Sequence, residues 1–402
     1  MNLKFIGGIL ILVGTCIGGG LLALPVTTSP GGFITSVIIM ICVWAITSLG
    51  AFYILELVQW LPPGANIISI AKATVGKKTE ILAWIVYLML CYALLCAYIS
   101  GGSDIFQYLI NLIKIPATQV FAAIIFVAVL GGVIYAGVKS MDIINRVLML
   151  IKFIAFFALI ILIFPHIKPA FLLAGDSRLA LSAVTVAVTS FGFAIVIPSL
   201  FDYFDGNVKK IKYIILCGTL IPLICYIVWN IAIMGALPRT GTDGLMSILA
   251  SGSITSGLVL SLKHFLHVNS ISEVSNLFTS ICMLTSFLGV SLALFDFLAD
   301  GLKANKSCMK GRLKIWILTF IPPLIIVIFY PKMFVMALSY AGLLVVILSI
   351  LLPSFMVWHG RYKKCISKNY EVFGGKFILL CEIAAGVVIL IVGILESFHI
   401  II

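Results

Sequence analysis

Apolar runs of eighteen or more residues recur along the whole 402-residue chain, and this recurrence limits the possible folds more than any other feature. A helix rises about 1.5 Å per residue, so each run is long enough to cross about 30 Å of hydrocarbon. Lipid offers no partners to backbone N–H and C=O groups, which leaves helices and closed barrels as the only spanning structures. Barrel strands alternate with period two and give weak hydropathy; these runs are continuously apolar, so helices are expected. Eleven spans are predicted, at 5–26, 33–59, 81–110, 118–138, 146–165, 181–203, 212–236, 272–299, 314–330, 333–358 and 376–397. Only 10% of residues are charged, against about 25% in soluble domains, which is too little polar surface to wrap a water-exposed globule.

Direction follows from the positive-inside rule. With a cytoplasmic amino terminus and an external carboxyl terminus, twenty of the 26 Lys and Arg residues fall inside. The six outside are Lys114, Lys168, Arg178, Arg239, Lys263 and Lys332. A wrong span count would scramble this alternation beyond the error. The net charge of +12 therefore reflects topology, and no basic segment with interleaved aromatics suggests nucleic-acid binding. The ten cysteines show neither metal-ligand spacing nor a secreted framework and read as buried thiols. The first apolar run continues to Pro25, too long for a signal-peptide core alone, and is taken as span 1.

No linker divides the chain, so 1–402 is expected to be one membrane domain. Segment 237–271 predicts short outer helices, and 60–80 an amphipathic inner helix opened by Pro62 and Pro63. The basic loops 300–313 and 359–375 are too short to house a catalytic domain. No HExxH or GxSxG motif occurs, the five histidines lie at span ends or in loops, and neither an enzyme nor a bound cofactor is expected.

Two spans cannot be plain helices. In VGTCIGGGLLALP, Gly14, Gly18, Gly19 and Gly20 lie mid-span ahead of Pro25. Each glycine weakens a helix interior by about 1 kcal/mol relative to alanine, and exposed backbone in lipid must line a protein cavity. In TSFGFAIVIPSLFDY, Gly192 and Pro198 bracket a second irregular stretch in span 6. Interruptions at matching places of two inverted halves point to a transporter's binding site. The other reading of the glycines is close helix packing.

The stretch GTCIGGGLLALP resembles the opening motif of the amino acid–polyamine–organocation superfamily. AYISGG at 97–102, INRVLMLIKFI at 144–154, TSFGF at 189–193, IPSLFDYFDGNVKK at 197–210, TSFLGVSLALFDFLADGLK at 285–303 and FYPKMFVMALSYAG at 329–342 extend the likeness. Together they are similar to bacterial hydroxy- and aromatic-amino-acid permeases, above all the tyrosine-specific ones. The resemblance implies an all-α integral membrane fold with a LeuT-type core of five plus five inverted spans (1–165 and 181–358) and an extra helix at 376–397. It also implies alternating-access import of an aromatic amino acid, tyrosine first, by proton symport across the bacterial inner membrane. Relatives commonly carry His where this chain has Ala194.

A zwitterionic substrate needs partners for both of its charges. Helix-start N–H groups at Gly18, Gly19 and Gly20 suit its carboxylate, and carbonyls near Thr15 and Cys16 suit its ammonium. Phe191 and Phe193 are candidate walls beside Gly192, with Ser190 as a polar contact and Tyr92 or Tyr98 of span 3 as caps. Among ionisable groups, which are costly inside spans, Lys152 either snorkels to the interface or fills the place where sodium-driven relatives hold a cation. Thr285 and Ser286 of span 8 resemble the sodium-liganding pair of that fold, although such hydroxyls often bond back to their own helix. Asp296 is a candidate partner for Lys152. Glu56, Asp104 and Asp202 read as structural groups at span ends. Sodium coupling, exchange, or another neutral substrate such as tryptophan or serine stands as the alternative.

Overall fold

The computed structural model describes residues 3–112, 114, 116–136, 138–173, 175–176, 179, 181, 183–303, 309–366 and 370–397. Of the charges used for topology, Arg178, Lys306 and Lys368 lie outside the described residues, as do the side chains of Lys139 and Arg146. Among the described residues nine helices are long and apolar enough to cross a membrane, and a pair bent by 49° makes a tenth. At the place of predicted span 4 stands Gln119–Ala136, eighteen residues or about 27 Å of helix.

The elements in order are as follows. Span 1 is Leu3–Cys16 (1a) and Gly19–Thr28 (1b), span 2 is Phe33–Val58, span 3 is Lys77–Leu112, and span 5 is Val138–Ile163. Span 6 is Val184–Ser190 (6a) and Ile197–Tyr203 (6b), span 7 is Val208–Ala236, span 8 is Asn269–Gly301, and span 9 is Met309–Phe329. Span 10 joins Phe334–Val346 to Leu352–Tyr362 through a π-turn at Ile347–Leu351, and span 11 is Gly375–Ser397. Spans 3 and 8 start earlier than hydropathy predicts, because polar residues such as Lys77, Lys78 and Glu80 extend a helix without adding to an apolar window.

The helix expected over 60–80 is shorter, Ile67–Thr74. Asn66, rather than the prolines, starts it. The Asn66 side chain accepts from the N–H groups of Ile68 and Ser69, while Ser69 Oγ accepts from Asn66 N–H, a reciprocal capping box. Gly76, at φ +128°, turns the chain away, and Lys77 onward belongs to span 3. Segment 237–271 forms two short helices, Leu245–Ser251 and Ile254–Leu266. Asp104 of span 3 caps the second, accepting from Thr255 Oγ1 at 2.6 Å and from Ser256 N–H and Oγ at 2.9 Å. A carboxylate at a helix start satisfies donors that lack intrahelical acceptors, so Asp104 ties span 3 to that helix. Asp202 accepts Gly64 N–H at 3.1 Å.

Span 5 shows which way the helices face. Leu150, Ile154, Phe157 and Ile161 are exposed at helical spacing, while Lys152, Ala155, Phe156 and Leu159 are buried. An apolar stripe pointing outward with a charge pointing inward suits lipid as the solvent. Inside, 1a packs on span 7, 1b on 6a, span 5 on span 8, and span 10 on spans 3 and 6a. At the far end of span 2, buried Glu56 accepts from Arg361 Nε at 2.6 Å, from Arg361 Nη2, and from Val372 N–H at 2.8 Å.

Candidate functional site

Span 1 breaks between Cys16 and Gly19. The three glycines each admit a different neighbour. A Cβ on Gly18 would strike the Ser286 hydroxyl of span 8. On Gly19 it would lie 2.8 Å from the Tyr98 ring of span 3, and on Gly20 it would meet the Ser190 side chain of 6a. Three elements thus close on three consecutive residues, which no side chain would permit. The break and the close-packing readings of the glycines are both realised here.

The backbone groups freed at the break have named partners. Ser286 Oγ accepts Gly19 N–H at 3.1 Å, and the opening of 1b leaves further N–H groups without intrahelical acceptors. On the other side, Ile17 C=O accepts from Lys152 Nζ at 2.6 Å. Lys152 is 1% exposed, so its stem does not return the ammonium to the interface. The same Nζ donates to Thr285 Oγ1 at 3.3 Å, while Thr285 itself donates to Ile281 C=O at 2.8 Å. Lys152 therefore bridges spans 1, 5 and 8 at the break. Asp296 lies eleven residues beyond Thr285, about 16 Å along span 8, near Tyr87 and out of reach of Lys152.

Span 6 breaks in register with span 1. Helix 6a ends at Ser190, and the turn tightens as Phe191 N–H bonds Val188 C=O and Gly192 N–H bonds Thr189 C=O, both at 3.1 Å. A short 3₁₀ turn, Ala194–Val196, leads into 6b, where Pro198 occupies an early position that needs no donor. Phe191, Phe193 and Ala194 are fully buried. Ser190 Oγ donates to Val186 C=O at 2.9 Å.

Of the remaining candidates, Cys16 is buried at the break, whereas the Thr15 side chain is exposed and bonds Ile11 C=O. Tyr98 packs its ring on Gly19. Tyr92 points elsewhere, with its hydroxyl donating to Leu318 C=O of span 9 at 2.7 Å. Six residues on a helix is about 240° of rotation, so the two tyrosines cannot share a face.

The sequence reading missed Tyr226 of span 7. Its hydroxyl lies 2.7 Å from both Cys16 C=O and Ser190 C=O, the carbonyls that end 1a and 6a, and its ring meets Phe191 edge-on at 5.1 Å. One phenol thus spans both broken helices. Nothing local in ICYIVWNI marks Tyr226, because its partners are 210 and 36 positions away.

Residues 1–393 match the tryptophan/tyrosine permease family. The chain belongs to that family. A tyrosine-specific transport system of Haemophilus influenzae is 35% identical over 96% of this chain and 95% of its own length. A tryptophan-specific transport protein of the same organism is 31% identical over 96% and 94%. The crystal structure of MhsT in complex with L-phenylalanine superposes with a TM-score of 0.66 at 14% identity, covering 99% of this chain and 98% of that one. The permease is therefore a multi-pass membrane protein of LeuT-type fold, with interrupted helices at spans 1 and 6.

Proposed function

We propose that this permease imports an aromatic amino acid, tyrosine, by proton symport with alternating access across the bacterial cytoplasmic membrane, its amino terminus inside. Residues 1–165 and 181–358 act as the two inverted halves, and 376–397 lies outside them. The substrate carboxylate sits at the N–H groups opening 1b, at Gly18, Gly19 and Gly20, where the helix dipole favours an anion. The ammonium takes the carbonyls ending 1a, at Thr15 and Cys16. Phe191 and Phe193 flank the ring beside Gly192, Ser190 offers a polar contact, and Tyr98 rather than Tyr92 closes the span 3 side. The specificity of the tyrosine transport relatives supports the choice of substrate.

The observation that carries the coupling is the 2.6 Å bond from Lys152 Nζ to Ile17 C=O at the break itself. Both bonds are charge-assisted while Lys152 is an ammonium, and the neutral amine, which keeps two donors, would make only ordinary, weaker ones. Gain and loss of a proton would thus change how firmly the break is tied to spans 5 and 8. Thr285 and Ser286 serve as acceptors in this scheme, and Asp296 takes no part.

Uptake of labelled tyrosine into proteoliposomes under imposed proton or sodium gradients tests the reading. We expect accumulation with a proton gradient alone, and Lys152→Met to abolish gradient-driven accumulation while leaving exchange of tyrosine across the membrane. Accumulation driven only by sodium, or unaltered pH dependence in Lys152→Met, would overturn the coupling. Failure of aromatic amino acids to compete would overturn the substrate. The second reading, a sodium-coupled or exchange carrier for tryptophan or another neutral amino acid, draws on the Thr285–Ser286 hydroxyl pair and the tryptophan-specific relative; the same assay separates it.

A further inference from the structure

Span 11 carries a carboxyl that the transport scheme does not use. Glu382 is 2% exposed in the seam where span 11 packs on span 2 and on the π-turn of span 10. Its Oε1 has no hydrogen-bond partner, and neither do two more buried oxygens of the same seam, Tyr53 Oη and Ser349 Oγ. Gly50, one turn before Tyr53, brings span 2 against the carboxyl: a Cβ there would strike Ser349 C=O and lie 3.6 Å from Glu382 Oε1, while the three oxygens make no hydrogen bond to one another. Ser349 lies within the π-turn Ile347–Leu351, a local distortion frequent at functional sites.

We propose that this seam is a proton-binding site separate from Lys152, with Glu382 as the acid and Tyr53 and Ser349 as its hydroxyl partners. A bare carboxylate among spans 2, 10 and 11 would be an uncompensated charge in the membrane interior. Among the described residues the nearby guanidinium, Arg361, is committed to Glu56. The other titratable groups on these elements are Cys42 of span 2, Tyr340, His359 and Tyr362 of span 10, and Lys376, Cys381 and Glu396 of span 11; helix 6a brings none. Bound to a proton, Glu382 is neutral and offers one donor and one acceptor, which two hydroxyls can match. The four side-chain oxygens of Glu382, Tyr53 and Ser349 are fewer than the about six or more that a hard cation takes. The site would hold span 11 against the span 10 π-turn. The same helix reaches the broken span 6 through Thr185 Oγ1, which donates to Glu396 at 3.1 Å.

The test needs no transport, so it stands or falls separately from the choice of substrate and coupling ion. Infrared difference spectra of the full chain in lipid, titrated from about pH 5 to about pH 9, report protonated carboxyls well above the ordinary carboxylate range. We expect a protonated-acid carbonyl band that Glu382→Gln lacks and Glu396→Gln retains, and whose frequency Tyr53→Phe or Ser349→Ala shifts. If Glu382→Gln does not insert, the two hydroxyl variants carry the test alone. A spectrum without the band, a band unchanged in Glu382→Gln, a frequency untouched by both hydroxyl variants, or a band abolished by sodium at fixed pH would each overturn the proposal.

Discussion

Replacing Gly20 with Ala puts a methyl group where 1b and 6a touch. The added Cβ would meet the Ser190 hydroxyl and lie 3.1 Å from both Ser190 Cα and Cβ. Carbon atoms rest at about 3.5–4.0 Å, so the two half-helices must part by about half an ångström. The hydroxyl can rotate away, but Cα cannot: it belongs to a helix end whose carbonyl is held by Tyr226. Overpacking of this kind costs about 1–3 kcal/mol, or roughly 5- to 150-fold in an equilibrium constant. The displaced N–H groups are the ones proposed to hold the substrate carboxylate, so the loss should fall on tyrosine affinity more than on folding. Equilibrium binding of labelled tyrosine to purified protein measures the first, and a thermal melt in detergent the second. Adding Ser190→Gly removes two of the three clashing atoms and should recover much of the lost affinity in Gly20→Ala. Wild-type affinity in Gly20→Ala, or no recovery in the double variant, would refute the argument that close approach requires this glycine.

Tyr226→Phe deletes the one phenol proton shared between the Cys16 and Ser190 carbonyls and leaves a buried carbonyl without its donor, at about 1–3 kcal/mol; a lowered melting temperature together with reduced uptake is expected. Tyr98→Phe should weaken tyrosine binding, whereas Tyr92→Phe, which loses only the bond to Leu318, should lower stability by about 1 kcal/mol and leave affinity unchanged. Arg361→Met strands a fully buried Glu56 and should destabilise by about 3–5 kcal/mol, with Glu56→Gln in the same chain restoring much of the loss in a melt.

The eleven helical segments and the two interruptions were legible in the sequence because hydropathy and glycine runs are local properties. An apolar run declares its own wish to leave water, and GGG weakens a helix whatever surrounds it. Where polar residues carry the helix on, as at Lys77–Glu80, or where a side-chain cap starts one, as at Asn66, hydropathy misplaces the ends. Lys152 stood out because a charge inside an apolar run is expensive wherever it occurs. Its acceptors, Ile17 and Thr285, are 135 and 133 positions away, and only folding could reveal them.

The chain's pattern of apolar runs and glycines thus settled that helices would cross a bilayer, and where two of them would fail to stay straight. Tertiary structure decided what meets at those failures: Ser286, Tyr98 and Ser190 on three adjacent glycines, and one Tyr226 hydroxyl between two broken ends. It also decided that Glu382, visible in the sequence as a carboxyl inside span 11, is buried in the seam with span 2 and the span 10 π-turn. The physical reason is that backbone preference and transfer energy are summed residue by residue along the chain. Hydrogen bonds and close contacts belong to pairs, and those pairs exist only once the helices have packed.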